Sequence, residues 1–454
     1  MTRVLIITGD PLAAAMAGPA IRAWNMALTL QGAGHEVRLV STTRAEHPAP
    51  PFSQYFVAAG NERGIAQHER WAEVVVFQGY ATTQFRTIAR TDRMLIVDAY
   101  DPMHLEMLEQ GRELPPDTWA LRVSTARDAL NDQLRRADLV LCASERQRLF
   151  YLGQLAGLGR LSPTTYADDP DLRRLLAVVP FGLEPVPPVA DVGRGMRDVV
   201  PGIDADSRVL IWGGGVYSWF DPLTLIRAVA VARTRVPDIR LFFLGTRHPG
   251  VDEMGIVRQS FDLATELGVE GREVVFNDTW VPYDARGAYL VEADAGVSTH
   301  HVHVETTFSF RTRILDYLWA GLPMVVTEGD GFAELIETEE LGIVVPANDV
   351  DALAEALIRV LSESTEVELW RANVARVRER FVWSSVLRPL LDAVESPRHA
   401  ADSTPGRDAM GVGIRAARTS GFGHTARMTL HHLRAEGVGG VTSRVRRRLR
   451  KGWE

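Results

Sequence analysis

Short apolar runs recur along the chain, with amphipathic stretches between them. Residues 3–8 (RVLIIT) form the first run, followed by a loop with Gly9, Pro11 and Gly18. Residues 21–34 (IRAWNMALTLQGAG) then carry apolar side chains at helical spacing and stop at glycines, and 35–40 (HEVRLV) is apolar again. Strand, loop, helix and strand in that order predict the opening of a parallel sheet with right-handed crossovers. Further runs stand at 72–77, 94–99, 137–143 and 175–180. Their near-continuous apolar character predicts strands buried on both faces.

Residues 181–193 (FGLEPVPPVADVG) interrupt the pattern with clustered prolines and read as an interdomain linker. A second series follows, with strands expected at 208–213, 239–245, 273–278, 294–300, 323–328 and 341–346. Helices are expected at 222–235, 309–320 and 349–362. The pattern predicts an α/β protein of two doubly wound, Rossmann-like domains, 1–185 and 186–394, with terminal helices packing back. Such domains face each other across a cleft at their strand C-terminal edges. Residues 395–454 read as a flexible linker and tail.

The length of 454 residues accommodates two such domains, and 46% apolar with 24% charged residues is an ordinary globular balance. Net charge is -8, which argues against a nucleic-acid binder as a whole. The charge is unevenly spread. Residues 397–454 hold 12 Lys/Arg against 4 Asp/Glu, a net of +8, leaving 38 against 54, or -16, for the rest. The tail ends VTSRVRRRLRKGW. It reads either as a solvated segment or as one drawn to an anionic membrane surface, at about 1 kcal/mol per basic residue near the surface. Nucleic-acid binding by the tail is a weaker third reading.

Cys142 is the one cysteine, so no disulfide forms within the chain, and a reducing compartment fits. Lys451 is the one lysine among 50 basic residues and stands four from the end. That argues against a Walker-type phosphate loop and a pyridoxal-phosphate Schiff base, both of which need a lysine. The apolar run before Asp10 is too short for a signal segment, and no 18 consecutive residues are apolar. A cytoplasmic protein is expected, with the tail as a candidate peripheral attachment at the inner face of the membrane.

The candidate chemistry lies in 294–321 (DAGVSTHHVHVETTFSFRTRILDYLWAG). With a helix starting at Ser309 as N-cap, Ser309, Arg313 and Asp316 share one stripe. A hydroxyl and a guanidinium at a helix N-terminus favour a phosphate, and a carboxylate can meet ribose hydroxyls. The next unit, PMVVTEGDGFAELI, repeats strand, glycine turn and helix. Gly331 lets backbone N–H groups approach an anion, and Glu334 lies in the first turn of a helix expected from Phe332.

These segments resemble glycosyltransferase family 4, retaining enzymes with the GT-B fold. That family carries a glutamate, seven residues, a second glutamate, and a helix ending in Ala-x-Gly-x-Pro. DYLWAGLPMVV (316–326) matches the second part with Asp316 in the glutamate's place, while Phe308 stands where the first glutamate would be. Glu305, three residues earlier, is the candidate substitute. EGDGFAELI matches the family's glycine turn and glutamate, and FGLEP (181–185) and ADLVLCASERQR (137–148) resemble its interdomain and helix-entry segments. The resemblance spans about residues 1–390, and WGGG, FSFRTR and LDYLWAGLP together resemble a bacterial subgroup linked to cell-surface polysaccharides.

The resemblance implies a nucleoside diphosphate sugar as donor, a hydroxyl acceptor on a glycan, glycolipid or cell-envelope precursor, no cofactor and no nucleic acid. The family's arginine and lysine after the first strand of the second domain have no match in IWGGGVYSWFDPLTLIRAVA (211–230). Arg311 and Arg313 would meet the diphosphate instead, with the backbone at Gly214 and Gly215. In the first domain the resemblance puts Gly18 against the diphosphate and Arg22 in the first helical turn beside it. Asp98, Asp101 and His104, in DAYDPMH at a strand end, are candidates for the acceptor hydroxyl or donor sugar.

His301, His303 and Glu305 would point the same way on an extended chain, a pattern that could hold a metal. The resemblance favours metal-independent transfer, with His303 and Glu305 on the donor sugar. It also implies that the leaving phosphate oxygen takes the acceptor proton. Two rival readings remain at this stage: a GT-B nucleotide-sugar epimerase and an inactive sugar-nucleotide-binding protein.

Overall fold

Strands such as Val74–Phe77, Leu139–Cys142 and Met324–Thr327 have no side that water reaches, so they pair with one another beneath helices. The computed structural model describes residues 1–13, 16–48, 50–191, 195–197, 199–246, 254–279 and 281–403. Most of the basic tail, from 404 onward, lies outside the described residues. Met1–Ser403 forms one compact unit containing two parallel sheets.

The first sheet has β1 (Arg3–Thr8), β2 (Glu36–Ser41), β3 (Ser53–Phe56), β4 (Val74–Phe77), β5 (Met94–Asp98), β6 (Leu139–Cys142) and β7 (Leu176–Val178). Its order is β3-β2-β1-β4-β5-β6-β7, every pair parallel. The second has β8 (Arg208–Trp212), β9 (Ile239–Phe243), β10 (Val274–Phe276), β11 (Ala295–Ser298), β12 (Met324–Thr327) and β13 (Gly342–Val345). Its order is β10-β9-β8-β11-β12-β13, again all parallel. The winding reverses between β1 and β4 and between β8 and β11. Crossovers leave those neighbours in opposite directions and open a crevice at their C-terminal ends.

Each apolar run named above contains a strand. β3 did not announce itself, because it is a half-exposed edge strand without an apolar run. The helix expected over 309–320 starts at Thr312 and runs to Ala320, and a separate short helix, Val304–Phe308, precedes it. Ser309 is therefore not an N-cap. It ends the first of the two helices, and Arg311 occupies the N-cap of the second. The helix expected near Phe332 begins at Gly331, with Asp330 as a true cap accepting from the Ala333 N–H at 2.8 Å.

The connection between the sheets runs beside the end of the second domain. Leu183 N–H donates to the Phe381 carbonyl at 2.8 Å, and the Trp383 ring covers Gly182 so closely that a Cβ there would lie 2.4 Å from it. The helix Arg388–Glu395 then returns to the first sheet, where the Thr2 hydroxyl donates to the Val394 carbonyl at 2.9 Å. Among the described residues no helix is long and apolar enough to cross a membrane.

Candidate active site

β8 runs into Gly213–Gly215 at the second reversal point. Gly214 has φ +82°, the left-handed region open to glycine. Tyr317, buried on the helix Thr312–Ala320, supports this turn. Its hydroxyl accepts from Gly213 N–H at 2.9 Å and lies 2.7 and 3.0 Å from the carbonyl oxygens of Val297 and Ile211. Gly296 makes room, since a Cβ there would lie 2.4 Å from the Tyr317 ring.

Arg313, on the same helix, is 6% exposed, and its guanidinium carbon lies 4.1 Å from the Trp212 ring centroid and 4.0 Å from that of Phe220. Nη2 donates to the Gly215 carbonyl at 2.9 Å, and the buried Nη1 has no partner. Among the described residues Arg313 forms no ion pair. Burial and then the neighbouring Arg311, against Tyr317 and Tyr217, bring its pKa down to about 10. This is an under-compensated buried cation at a strand C-terminal edge.

Arg311 is more fully engaged. It forms a two-pronged pair with Glu305 at 3.0 and 2.8 Å, while its Nε is buried without a partner. Glu305 thus stands beside the arginines. His303 caps the helix Val304–Phe308: its Nδ1 accepts from the Thr306 N–H at 3.2 Å. The proton is then assigned to Nε2, which faces Glu109 of the first domain at 3.9 Å and makes no hydrogen bond. Burial lowers the His303 pKa, opposed by Glu109 and Glu305. His300, behind them, is held down to about 3 by burial and then by Arg311, and its Nε2 lies 3.0 Å from the Glu328 carbonyl.

The extended-chain alignment of His301, His303 and Glu305 does not occur, because the helix begins at Val304. His301 faces Asp221 at 3.9 Å instead. Among the described residues no group of three or more His, Cys, Asp or Glu side chains could hold a metal.

Asp316 is not a free carboxylate. It accepts from Arg286 Nε at 2.9 Å, and Arg286 is stacked on Tyr283 and Trp319. Arg313 and Asp316 share the helix, but Ser309 lies outside it and its hydroxyl donates to the Thr306 carbonyl at 3.1 Å. The expected stripe of three is therefore two residues. Gly331 and Glu334 open the next helix at the same sheet edge, and Glu334 is mostly exposed.

In the first domain Arg22 does not face a ligand. It is fully buried and grips Asp98 through Nη2 at 2.7 Å and Nε at 2.8 Å. It also donates to the carbonyls of Val179 and Pro180, at 2.8 Å each. The pair locks the first helix onto the ends of β5 and β7, so both Arg22 and Asp98 are removed from the site. Gly18 opens that helix, where a Cβ would touch Phe181 at an ordinary 3.8 Å; chain packing alone does not demand glycine there. Asp101 does reach the cleft. Burial, then the hydrogen-bonded Glu106 and Glu305 across the cleft, push its carboxyl well above the usual range, against Arg311. His104 stacks on Phe150, at 5.6 Å between rings.

Three residues of the helix Glu145–Gly157 went unsingled by the sequence. Arg146 donates to the Gly329 carbonyl at 2.8 Å and to Glu334 at 3.2 Å. Gln147 Nε2 donates to the Tyr100 and Phe308 carbonyls at 2.9 and 2.8 Å. The Phe150 ring meets that of Phe308 at 4.7 Å. Their signal was present in ADLVLCASERQR: a strand, then Ser144 as cap, then the first helical turn at a C-terminal sheet edge. Phe308, where the family resemblance would have a glutamate, is thus a contact with the first domain.

Residues 207–363 match the family described as glycosyl transferases group 1. The D-inositol 3-phosphate glycosyltransferase of Saccharomonospora viridis is 25% identical over 318 residues, covering 67% of this chain and 72% of that protein. The phosphatidyl-myo-inositol mannosyltransferase of Mycobacterium leprae is 32% identical over 88 residues, 19% of this chain and 24% of that one. Among solved structures, Anabaena HepE superposes with TM-score 0.64 at 15% identity, covering 87% of this chain and all (100%) of the other. Sucrose-phosphate synthase from Thermosynechococcus elongatus gives TM-score 0.64 at 17% identity over 87% of this chain and 98% of that one. The reversal-point crevices, the paired parallel sheets and these likenesses agree: the chain is a glycosyltransferase of the GT-B fold, and residues 207–363 of its second domain match glycosyl transferases group 1.

Proposed function

We propose that this enzyme transfers a glycosyl group from a nucleoside diphosphate sugar to a hydroxyl acceptor, with retention and without a metal. The observation that carries the reading is Arg313: a buried guanidinium with an unpartnered Nη1, beside a glycine turn, with the unpartnered Nε of Arg311 nearby. A diphosphate supplies the missing negative charge. The Anabaena structure is a complex with UDP-glucose, which supports that donor class. Asp316 and Arg286 take the ribose side, and the backbone at Gly18, Gly214, Gly215 and Gly331 lies against donor oxygens.

The sugar's C1–O bond to the diphosphate breaks as the acceptor oxygen bonds to C1 on the same face. The acceptor proton passes to the leaving phosphate oxygen, so no protein base is needed. Arg311 and Arg313 stabilise the charge growing on that leaving group. Glu305 and the Nε2–H of His303 hold sugar hydroxyls, and Asp101, its carboxyl pushed up by burial and by Glu106, faces the acceptor. The acceptor is a glycan, a glycolipid or a cell-envelope precursor; two relatives are named for inositol-containing substrates. The basic tail holds the enzyme at an anionic inner membrane surface.

The test is product analysis with UDP-glucose and other nucleotide sugars, with and without chelator. A product of retained anomeric configuration, formed equally in chelator, is expected. An inverted product, or activity lost to chelator and restored by a divalent ion, would overturn the respective claims. Equal sedimentation with anionic vesicles of the full chain and a form lacking 397–454 would remove the membrane role.

A further inference from the structure

We propose that the first turn of the helix Glu145–Gly157 sets the donor half of the site from the first domain, with Gln147 and Arg146 as positioning residues for transfer. The proposal rests on the glycosyl-transfer reading above. Ser144 fixes the turn by accepting from the Gln147 N–H at 3.1 Å. Gln147 is 0% exposed, and both its amide oxygen and its amide nitrogen are hydrogen-bonded. Oε1 accepts from Ala143 N–H at 2.7 Å, and Nε2 donates to the Tyr100 carbonyl at 2.9 Å and the Phe308 carbonyl at 2.8 Å.

The two carbonyls belong to different halves of the chemistry. Tyr100 directly precedes Asp101, the carboxyl on the acceptor side. Phe308 stands between Glu305 and Arg311, the pair on the donor side. One amide therefore fixes the separation of the two groups across the cleft. Only a double donor fits there, since both neighbours are acceptors. Arg146, the preceding residue, holds the glycine turn of the donor site through the Gly329 carbonyl and Glu334. Phe150, one helical turn on, packs its ring on Phe308. Simple adhesion between domains would be served by the aromatic contact. A buried, hydrogen-bonded amide adds direction, because a displaced partner leaves a polar group unpaired. The bonds to Phe308 and Gly329 cross between the domains while that to Tyr100 stays within the first, so the donor groups hold these positions only while the two domains stay in contact.

The test compares wild type with Gln147→Met, Gln147→Glu and Arg146→Met in the full chain. UDP affinity is read by calorimetry, kcat and acceptor KM by UDP release from UDP-glucose or whichever nucleotide sugar the wild type turns over, and folding by thermal melting. In the Gln147 variants kcat falls about tenfold or more, as misplacement of reacting groups implies. Gln147→Glu is the worse of the two, because a carboxylate faces two carbonyl oxygens. Nucleotide Kd stays within about threefold, because Gly213–Gly215 and Arg313 lie in the second domain alone. Arg146→Met lowers kcat several-fold with Kd equally unmoved. Unchanged kcat in Gln147→Met and Arg146→Met overturns the proposal, as does a loss of nucleotide affinity parallel to the loss of kcat. If the Gln147 variants fail to fold, Arg146→Met, which alters a half-exposed side chain, decides alone. A wild type that turns over no nucleotide sugar would sink the glycosyl-transfer reading itself; an active wild type with equally active variants sinks only the positioning role.

Discussion

Arg313 donates to the Gly215 carbonyl at 2.9 Å while its guanidinium lies over the rings of Trp212 and Phe220, and no carboxylate pairs with it among the described residues. A buried cation left in this state costs stability, and an arriving anion relieves the cost. Stability and function therefore pull in opposite directions at this residue. Arg313→Met should melt at or above the wild-type temperature without ligand, yet lose the thermal shift given by a nucleoside diphosphate. Its kcat should fall about 10²–10³-fold, the scale of losing one preorganised donor to a developing charge. A full nucleotide shift with wild-type turnover would remove Arg313 from the site.

Arg22 and Asp98 predict the reverse pattern. Both side chains are 0% exposed and paired at 2.7 Å. Removing one member leaves the other charge buried, at a cost of about 3–5 kcal/mol. Arg22→Met should unfold at markedly lower urea, while the protein that remains folded binds nucleotide normally. Normal stability with weakened donor binding would restore Arg22 to the ligand site.

Phe308→Glu introduces the glutamate that the family resemblance would have at this position. The ring packs on Phe150 of the first domain, so the new carboxylate would enter an aromatic contact rather than the sugar pocket. Activity should fall, with melting temperature falling too. A rise in kcat/KM would show that the side chain can turn towards the donor.

His300 gives the fold an acid-sensitive window. Its folded pKa is about 3, against 6.5 for an ordinary imidazole. Above pH 6.5 neither state is protonated and its contribution to stability is complete. Between 6.5 and about 3 the unfolded chain takes up a proton that the folded chain refuses, so stability falls as pH falls. His300→Asn should flatten the pH dependence of urea stability across that window by about one proton. An unchanged slope would mean that His300 protonates in place.

The fold and the candidate pocket differ in how far they could be read from the residues. Alternation of apolar runs with helical segments is a local property, and runs such as VVVF and LVLC can be satisfied only inside a covered parallel sheet. Glycines after strands, and Arg311 and Arg313 after β11, were legible for the same reason: the strand's end fixes which edge they occupy. β3 was illegible because an edge strand needs no apolar run.

Tertiary structure alone decided where the side chains went. Arg22 looked like a helix residue beside a phosphate until Asp98, 76 residues away, took its guanidinium into the core. Phe308 read as a vacancy in a motif until Gln147, 161 residues away, took its carbonyl and Phe150 its ring. The sequence by itself determined the α/β architecture, the sheet edge that carries the chemistry and the excess of arginine there. Which arginine would be paired with a carboxylate and which left without one was settled by contacts between elements distant along the chain. Spacing and periodicity do not encode such contacts, because a charge or carbonyl is satisfied by whatever the folded chain brings to it.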